Sequence, residues 1–133
     1  VQAVVSVGII EAVAEAALRL TGGSLALTSM LLLWLSAFAS GIVDNIPYTA
    51  TMIPVVENLG MSMPIMPLWW SLALGACLGG NITLVGAAAN VVVANLAEKS
   101  GHPISFRKFL GYGVATTLMS LVLATGYVWL RYL

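Results

Sequence analysis

The chain reads as an all-α polytopic membrane protein, and three observations carry that reading. Hydrophobic residues make up 60% of it and charged residues 8%, against about 25% charged in an average soluble protein. Residues 20–43, 58–97 and 109–130 carry no charge, and a spanning helix needs about 20 predominantly apolar residues. The polar groups that interrupt this background are concentrated. Ser40-Gly41-Ile42-Val43-Asp44-Asn45-Ile46-Pro47-Tyr48-Thr49 holds the sole aspartate, an amide, a proline and three hydroxyl groups. A charge at bilayer depth costs about 2.5 to 3.5 kcal/mol on insertion scales, so one that persists faces a partner, a cavity or an ion.

Composition also excludes function classes. A formal net charge of zero removes nucleic acid as a partner, because phosphate neutralisation needs clustered Lys and Arg. One cysteine and one histidine cannot assemble a protein-only zinc site or an internal disulfide. No cofactor is expected, and Cys77, between Ala76 and Leu78, is expected to be a buried, inert thiol. The sequence opens on Val1 without a basic n-region, so it shows no signal peptide and reads as part of something longer.

In chain order, residues 1–10 read as the end of an apolar helix. Glu11, Glu15 and Arg19 recur every four residues opposite Ala12, Val13, Ala16, Ala17 and Leu20, which is an amphipathic helix with Glu15 and Arg19 as an i,i+4 pair. Its solvated face is preferred to a catalytic carboxylate pair. Gly22 and Gly23 end it, and Ser24 can cap the next helix. Leu25 to Ile42 is apolar throughout, with Met30, Trp34 and Phe38 on one face for core or lipid contact. The helix gives way at Asp44–Pro47, and a short helix from Pro47 to Glu57 spans roughly 16 Å, about half a bilayer. If residues 24–58 ran in one direction they would reach roughly 52 Å, too far for a core of about 30 Å, so a hairpin that enters and leaves by one face is expected.

Residues 58–67, with Gly60, Pro64 and Pro67, read as an interfacial loop, followed by Trp69 and Trp70 where an aromatic belt sits. Leu68 to Leu78 is again half a span, interrupted at Gly79-Gly80-Asn81, and helix resumes from Thr83 to Lys99. There Thr83, Gly86, Asn90 and Ala94 fall on one small, polar stripe that admits close packing or lines a site. Lys99, His102, Arg107 and Lys108 make residues 99–108 the most basic loop, which the positive-inside rule places in the cytoplasm. His102 reads as an ordinary exposed histidine. Ile104 to Leu110 can lie on the surface, and the last helix, residues 111–133, is roughly 34 Å long, enough to span with some tilt.

Two helices broken in succession, at Asp44–Pro47 and at Gly79–Thr83, are the part of this pattern that carries chemistry. A broken helix leaves amides and carbonyls without partners, tolerated in lipid only where buried in protein or facing a wet cavity. A half-helix starting near Pro47 or Ile82 offers its positive end to an anion, and the carbonyls that end the preceding half can ligate a cation. Asn45, Thr49, Asn81 and Thr83 supply side-chain oxygens of the kind sodium accepts, and Asp44 supplies charge or takes a proton. For either break alone a bland account suffices: Gly75 and Gly79 as a GxxxG contact face, Asn81 as a helix cap. Two together, each with an Asn and a following Thr, favour a site.

At these motifs, SGIVDNIPYTATMIPVV and GACLGGNITLVGAAANVVVANLAEKSGHPISFRKF, the chain resembles the C-terminal half of the ion transporter superfamily. The resemblance is to the branch of ArsB-type arsenite permeases, NhaD-type sodium/proton antiporters and the melanosomal pink-eyed-dilution protein, closest to the last. It covers nearly the whole chain and implies one inverted-repeat half of a secondary transporter. Residues 1–23 then hold the end of a transmembrane helix and an arm helix at 11–20. Residues 24–58 form a re-entrant hairpin with its tip at 44–47, and 68–99 a discontinuous transmembrane helix broken at 79–82. The implied site residues are Asp44, Asn45, Pro47 and Thr49 at the tip and Gly80, Asn81 and Thr83 at the break. Asn90 joins them from the polar stripe, and Asn45, Asn81 and Thr83 are the sodium candidates. Divalent-anion symporters of the superfamily carry Ser-Asn-Thr at the tip where this chain has Asp44-Asn45-Ile46-Pro47, and the added negative charge disfavours a dicarboxylate.

The expected function is therefore a secondary active ion transporter, coupled to sodium or protons and moving an inorganic ion or anion. It is expected to sit in a bacterial inner membrane or an organelle membrane, paired with an N-terminal half and forming a homodimer. A sodium-coupled organic dicarboxylate symporter and a non-transporting assembly subunit are the alternatives. An intramembrane enzyme is disfavoured: an aspartyl protease needs two carboxylates sharing a proton, and a serine protease needs a histidine nearer than His102.

Overall fold

A computed structural model describes residues 9–133, and among these it contains six helices. The expectation for residues 1–8 lies outside the described residues. The helices are α1 (Ile9–Thr21), α2 (Leu25–Ile42), α3 (Asn45–Gly60), α4 (Ile65–Gly79), α5 (Ala88–Lys99) and α6 (Phe106–Tyr132). Of these, α2 and α6 are long and apolar enough to cross a membrane, with 18 and 27 residues.

α1 carries the expected Glu15–Arg19 pair, at 3.6 Å on its solvated face. It ends where Gly22 and Gly23 take positive φ angles of 59° and 74°, and Gly23 N–H donates to Leu18 O at 3.1 Å, a glycine C-cap. Ser24 does occupy the N-cap position of α2, but its hydroxyl makes no capping bond. The start of α2 is secured instead by Thr21 and Thr28, whose hydroxyls lie 2.8 Å apart.

α2 and α4 run parallel and form the centre. Their contact is main chain against main chain: a Cβ built on Gly75 meets Leu33 O and sits 2.8 Å from Ser36 Cβ, and one built on Gly79 sits 2.5 Å from Ala37 Cα. In lipid the hydrophobic effect does not drive helices together, so close approach of small residues and interhelical hydrogen bonds carry the association. Ser40 Oγ adds such a bond, donating to Ala76 O at 2.7 Å.

On one side of this pair, α3 and α1 close a core of Ala14, Leu32, Val55, Val56, Leu59, Met63, Leu68 and Leu72. On the other side α6 crosses antiparallel to α4 and buries Leu121 and Ala124 against Leu33 and Ala37. Trp34 Nε1 donates to Thr125 Oγ1 at 3.1 Å, and Trp70 stacks on Tyr132 with ring centroids 6.0 Å apart. Trp70, Tyr127 and Tyr132 thus gather at the end of the bundle remote from the basic loop, an aromatic cluster of the kind found at a membrane interface.

Three boundaries differ from the sequence expectation. The loop expected over 58–67 shrinks to residues 61–64 because α3 continues to Gly60 and α4 starts at Ile65. α6 starts at Phe106, taking up the segment expected to lie on the surface. Helix resumes after the break at Ala88 rather than Thr83, because the intervening residues are held by tertiary contacts.

Candidate ion and substrate site at the hairpin tip and helix break

The hairpin tip is built by Asp44. It is the N-cap of α3, its Oδ1 accepting from Ile46 N–H at 3.0 Å, so the carboxylate is fixed locally at the positive end of a helix. Pro47 falls in the first turn, where its missing N–H is harmless. Pro54 lies inside the helix and removes the amide that would have paired with Ala50 O. Ala50 lines a shallow cavity of about 350 Å3 together with Asn45, Thr49 and Cys77. The expectation of a buried thiol is corrected here: Cys77 is exposed, since it points away from the α2 seam that covers Ala76.

The break runs through residues 80–87 as a series of turns, with Ile82 N–H donating to Gly79 O at 2.9 Å and Gly86 N–H to Thr83 O at 3.2 Å. It cannot be helical, because Gly86 must lie flat against Gly80 and Ser40. A Cβ at Gly86 would sit 2.7 Å from Gly80 O and 3.2 Å from Ser40 O. Thr83 Oγ1 donates to Gly41 O at 2.6 Å, tying the break to the last turn of α2 three residues before Asp44. A hydroxyl that donates this way keeps lone pairs free for a cation. On the other flank Gly113 of α6 packs on the break, a Cβ there falling 2.5 Å from Ile82 O, and Thr117 Oγ1 donates to Leu78 O at 3.3 Å.

Asn90 closes the arrangement. Its Nδ2 donates to Gly80 O at 2.9 Å and to Thr83 O at 3.0 Å; the interrupted ladder would otherwise leave Gly80 O open, while Thr83 O also accepts from Gly86 N–H. The sequence placed Asn90 on a helical stripe with Thr83 and Gly86; in the structure it reaches back across the break to them. Asn90→Ala removes both donations and leaves Gly80 O unmet, and because an unmet buried carbonyl costs about 1 to 3 kcal/mol, a clear drop in thermal midpoint of the detergent-solubilised full-length protein is expected. Hydrogen exchange across 80–87 at wild-type rates would contradict this role.

The structure thus brings together the main chain of tip and break, with Gly80, Thr83 and Asn90 bonded to one another and to α2. It does not bring all the expected side chains into one cluster. Asn45 and Thr49 line the cavity beside Cys77, whereas Asn81 lines a different cavity with Lys108, Tyr112 and Thr116. Asn81 is not a helix cap, since Ala87 holds that position for α5. Gly75 and Gly79 do form the glycine contact face of the bland account, and the break begins directly after it.

The family model of the citrate transporter matches residues 1–75, more than half of the chain. The chain belongs to the citrate transporter family. Relatives of this family member include an uncharacterized transporter of Mycobacterium tuberculosis, 52% identical over 136 residues, covering 99% of this chain and 32% of that protein. The 46 kDa membrane protein of Mycobacterium leprae is 50% identical over 137 residues, covering 100% of this chain and 32% of its own. The P protein of Mus musculus is 52% identical over 103 residues, 74% of this chain and 12% of that protein, so the likeness to the pink-eyed-dilution protein holds. The chain spans about a third of the length of the mycobacterial relatives it matches. No solved structure matches. Membership of the citrate transporter family, together with the long apolar helices α2 and α6, makes this an integral membrane protein.

Proposed function

We propose that the full-length protein is a secondary active transmembrane ion transporter and that this chain is its C-terminal transport repeat. Sodium or a proton is the coupling ion, an inorganic ion or anion is the substrate, and no cofactor or covalent chemistry takes part. The observation that carries this reading is the Thr83–Gly41 hydrogen bond of 2.6 Å, which holds a helix break and an acidic helix turn at one level of the bundle. Asp44, Asn45, Pro47 and Thr49 form the tip side of the site, and Gly80, Asn81, Thr83 and Asn90 the break side. Asn45, Thr83 and Asn81 remain the sodium candidates, with Asn81 also free to reach substrate.

Helix lengths support a re-entrant hairpin. α3, of 16 residues, reaches roughly 24 Å at about 1.5 Å per residue, short of a core of about 30 Å, so it suits a return limb rather than a second crossing. α4 and α5 together hold as many helical residues as α6, which suits a discontinuous span. The end of the bundle carrying Lys99, Arg107 and Lys108, at the α5–α6 connection, faces the cytoplasm, and two full-length copies form a dimer. A second reading, a sodium-coupled organic carboxylate symporter, is favoured by the citrate in the family's description, against which stands the carboxylate of Asp44.

Sodium-driven uptake and counterflow into proteoliposomes containing the full-length protein test the reading. Thr83→Val and Asn45→Ala are expected to raise the half-saturation concentration for sodium about tenfold, the factor equivalent to roughly 1.4 kcal/mol. Unshifted sodium curves in both variants would remove these residues from the ligand set, and absence of counterflow by the wild type would leave only an assembly role. Citrate-dependent sodium entry would select the second reading.

A further inference from the structure

We infer that the cavity between the helix break and the start of α6 is an anion subsite with Lys108 as its charged ligand, separate from the acidic hairpin tip. This rests on the transporter reading and specifies where charge of each sign is held. The cavity, about 470 Å3, is lined by Asn81, Lys108, Tyr112 and Thr116 with Ile104, Phe109 and Gly113. That size suits a small polyatomic ligand. Among the described residues Lys108 is its only ionisable group of either sign apart from the Tyr112 phenol, and Glu98 lines a different cavity.

The placement of Lys108 itself points to an anion. α6 opens with Arg107 and Lys108 in its first turn and no acidic residue there, so two cations face the positive end of the helix dipole, the unfavourable sense for an unoccupied site. Ser105 Oγ already accepts from the Lys108 backbone N–H at 3.4 Å, so a bound anion would offset that unfavourable charge chiefly through the Lys108 ammonium. Asn81 is exposed on the break and lines this cavity, so its amide is placed to donate to the same ligand. The cavity lies directly beside the break, because Gly113, one of its lining residues, packs on Asn81 O and Ile82 O. An anion held here and a cation held at Asp44 approach the break from different cavities, and Asn81, lining this one, then serves the anion rather than sodium.

The test uses the full-length protein in proteoliposomes of phosphatidylcholine, with and without phosphatidylglycerol, and labelled citrate, inorganic phosphate and sodium as probes. Lys108→Gln is expected to raise the half-saturation concentration for the transported anion about tenfold, the factor of a charge-assisted hydrogen bond, and to leave that for sodium unchanged. Lys108→Arg is expected to recover most of the loss, and Lys99→Gln to behave as wild type. An unchanged anion half-saturation in Lys108→Gln overturns the subsite. So does a Lys108→Gln effect seen only with phosphatidylglycerol, which assigns the cavity to a lipid headgroup, or wild-type transport of sodium with neither anion. Wild-type protein that moves none of the three probes overturns the transporter reading itself, which separates the two failures.

Discussion

Asp44→Asn in the full-length protein is expected to abolish ion coupling while leaving folded yield intact. The substitution isolates charge from structure. Asp44 Oδ1 accepts from Ile46 N–H at the start of α3, and an asparagine oxygen in the same place accepts that bond equally well, both residues being among the best N-caps. What disappears is the negative charge and the ability to bind a proton. Uptake driven by a sodium or pH gradient is expected to fall at least tenfold, and the pH dependence of any residual flux to flatten. Asp44→Ala, by contrast, removes the cap as well and is expected to cost about 1 kcal/mol of stability besides. Wild-type uptake with an unaltered pH profile in Asp44→Asn would show that the carboxylate is only a cap.

Gly79→Val is expected to have the largest structural effect of any single change in the bundle. The new Cβ would fall on Ala37, 2.5 Å from its Cα and 2.6 Å from its carbonyl carbon, and these are main-chain atoms that no rotamer change can move aside. Helices α2 and α4 would have to separate along their whole seam, losing the Ser40–Ala76 bond and the Gly75–Leu33 contact with it. A destabilisation of about 3 kcal/mol, the upper end for overpacking, is expected as a large loss of thermal midpoint or of folded protein in detergent. Gly111→Ala and Gly126→Ala serve as controls, since a Cβ at either meets nothing within 4 Å. A Gly79→Val protein that melts with the wild type would mean that the seam is not the mechanical centre of the fold.

Much of the helix pattern was legible because lipid imposes it. The chargeless runs, the glycine pair after α1, the Asp44–Pro47 turn and the stop at Gly79 each arise from local rules about what a backbone can do without water. The residues that escaped were those whose roles depend on a distant contact. Nothing near Thr83 in sequence announces that it bonds Gly41, and without that bond the stretch from Thr83 to Ala87 looks as helical as α5 itself. Asn90 fits the 3.6-residue stripe well, yet serves carbonyls seven and ten residues back. Cys77 sits in an apolar run that suggests burial, but α2 covers only the Ala76 side of α4. Asn81 and Asn45 look equivalent as amides next to a glycine or an acid, and only the packing of α6 on the break sends Asn81 toward Lys108.

The α2–α4 seam limits how the protein can open. With Gly75 and Gly79 pressed against the backbone of Leu33 and Ala37, the first limb of the hairpin and the upstream half of the broken helix are effectively one girder. In the proposed transport cycle a passenger is not expected to leave by peeling that limb away. A gate in the proposed transporter is therefore expected in the second limb, or in the downstream half, α5, which contributes no buried residue. The moving parts of that proposed cycle are thus expected in α3 or α5.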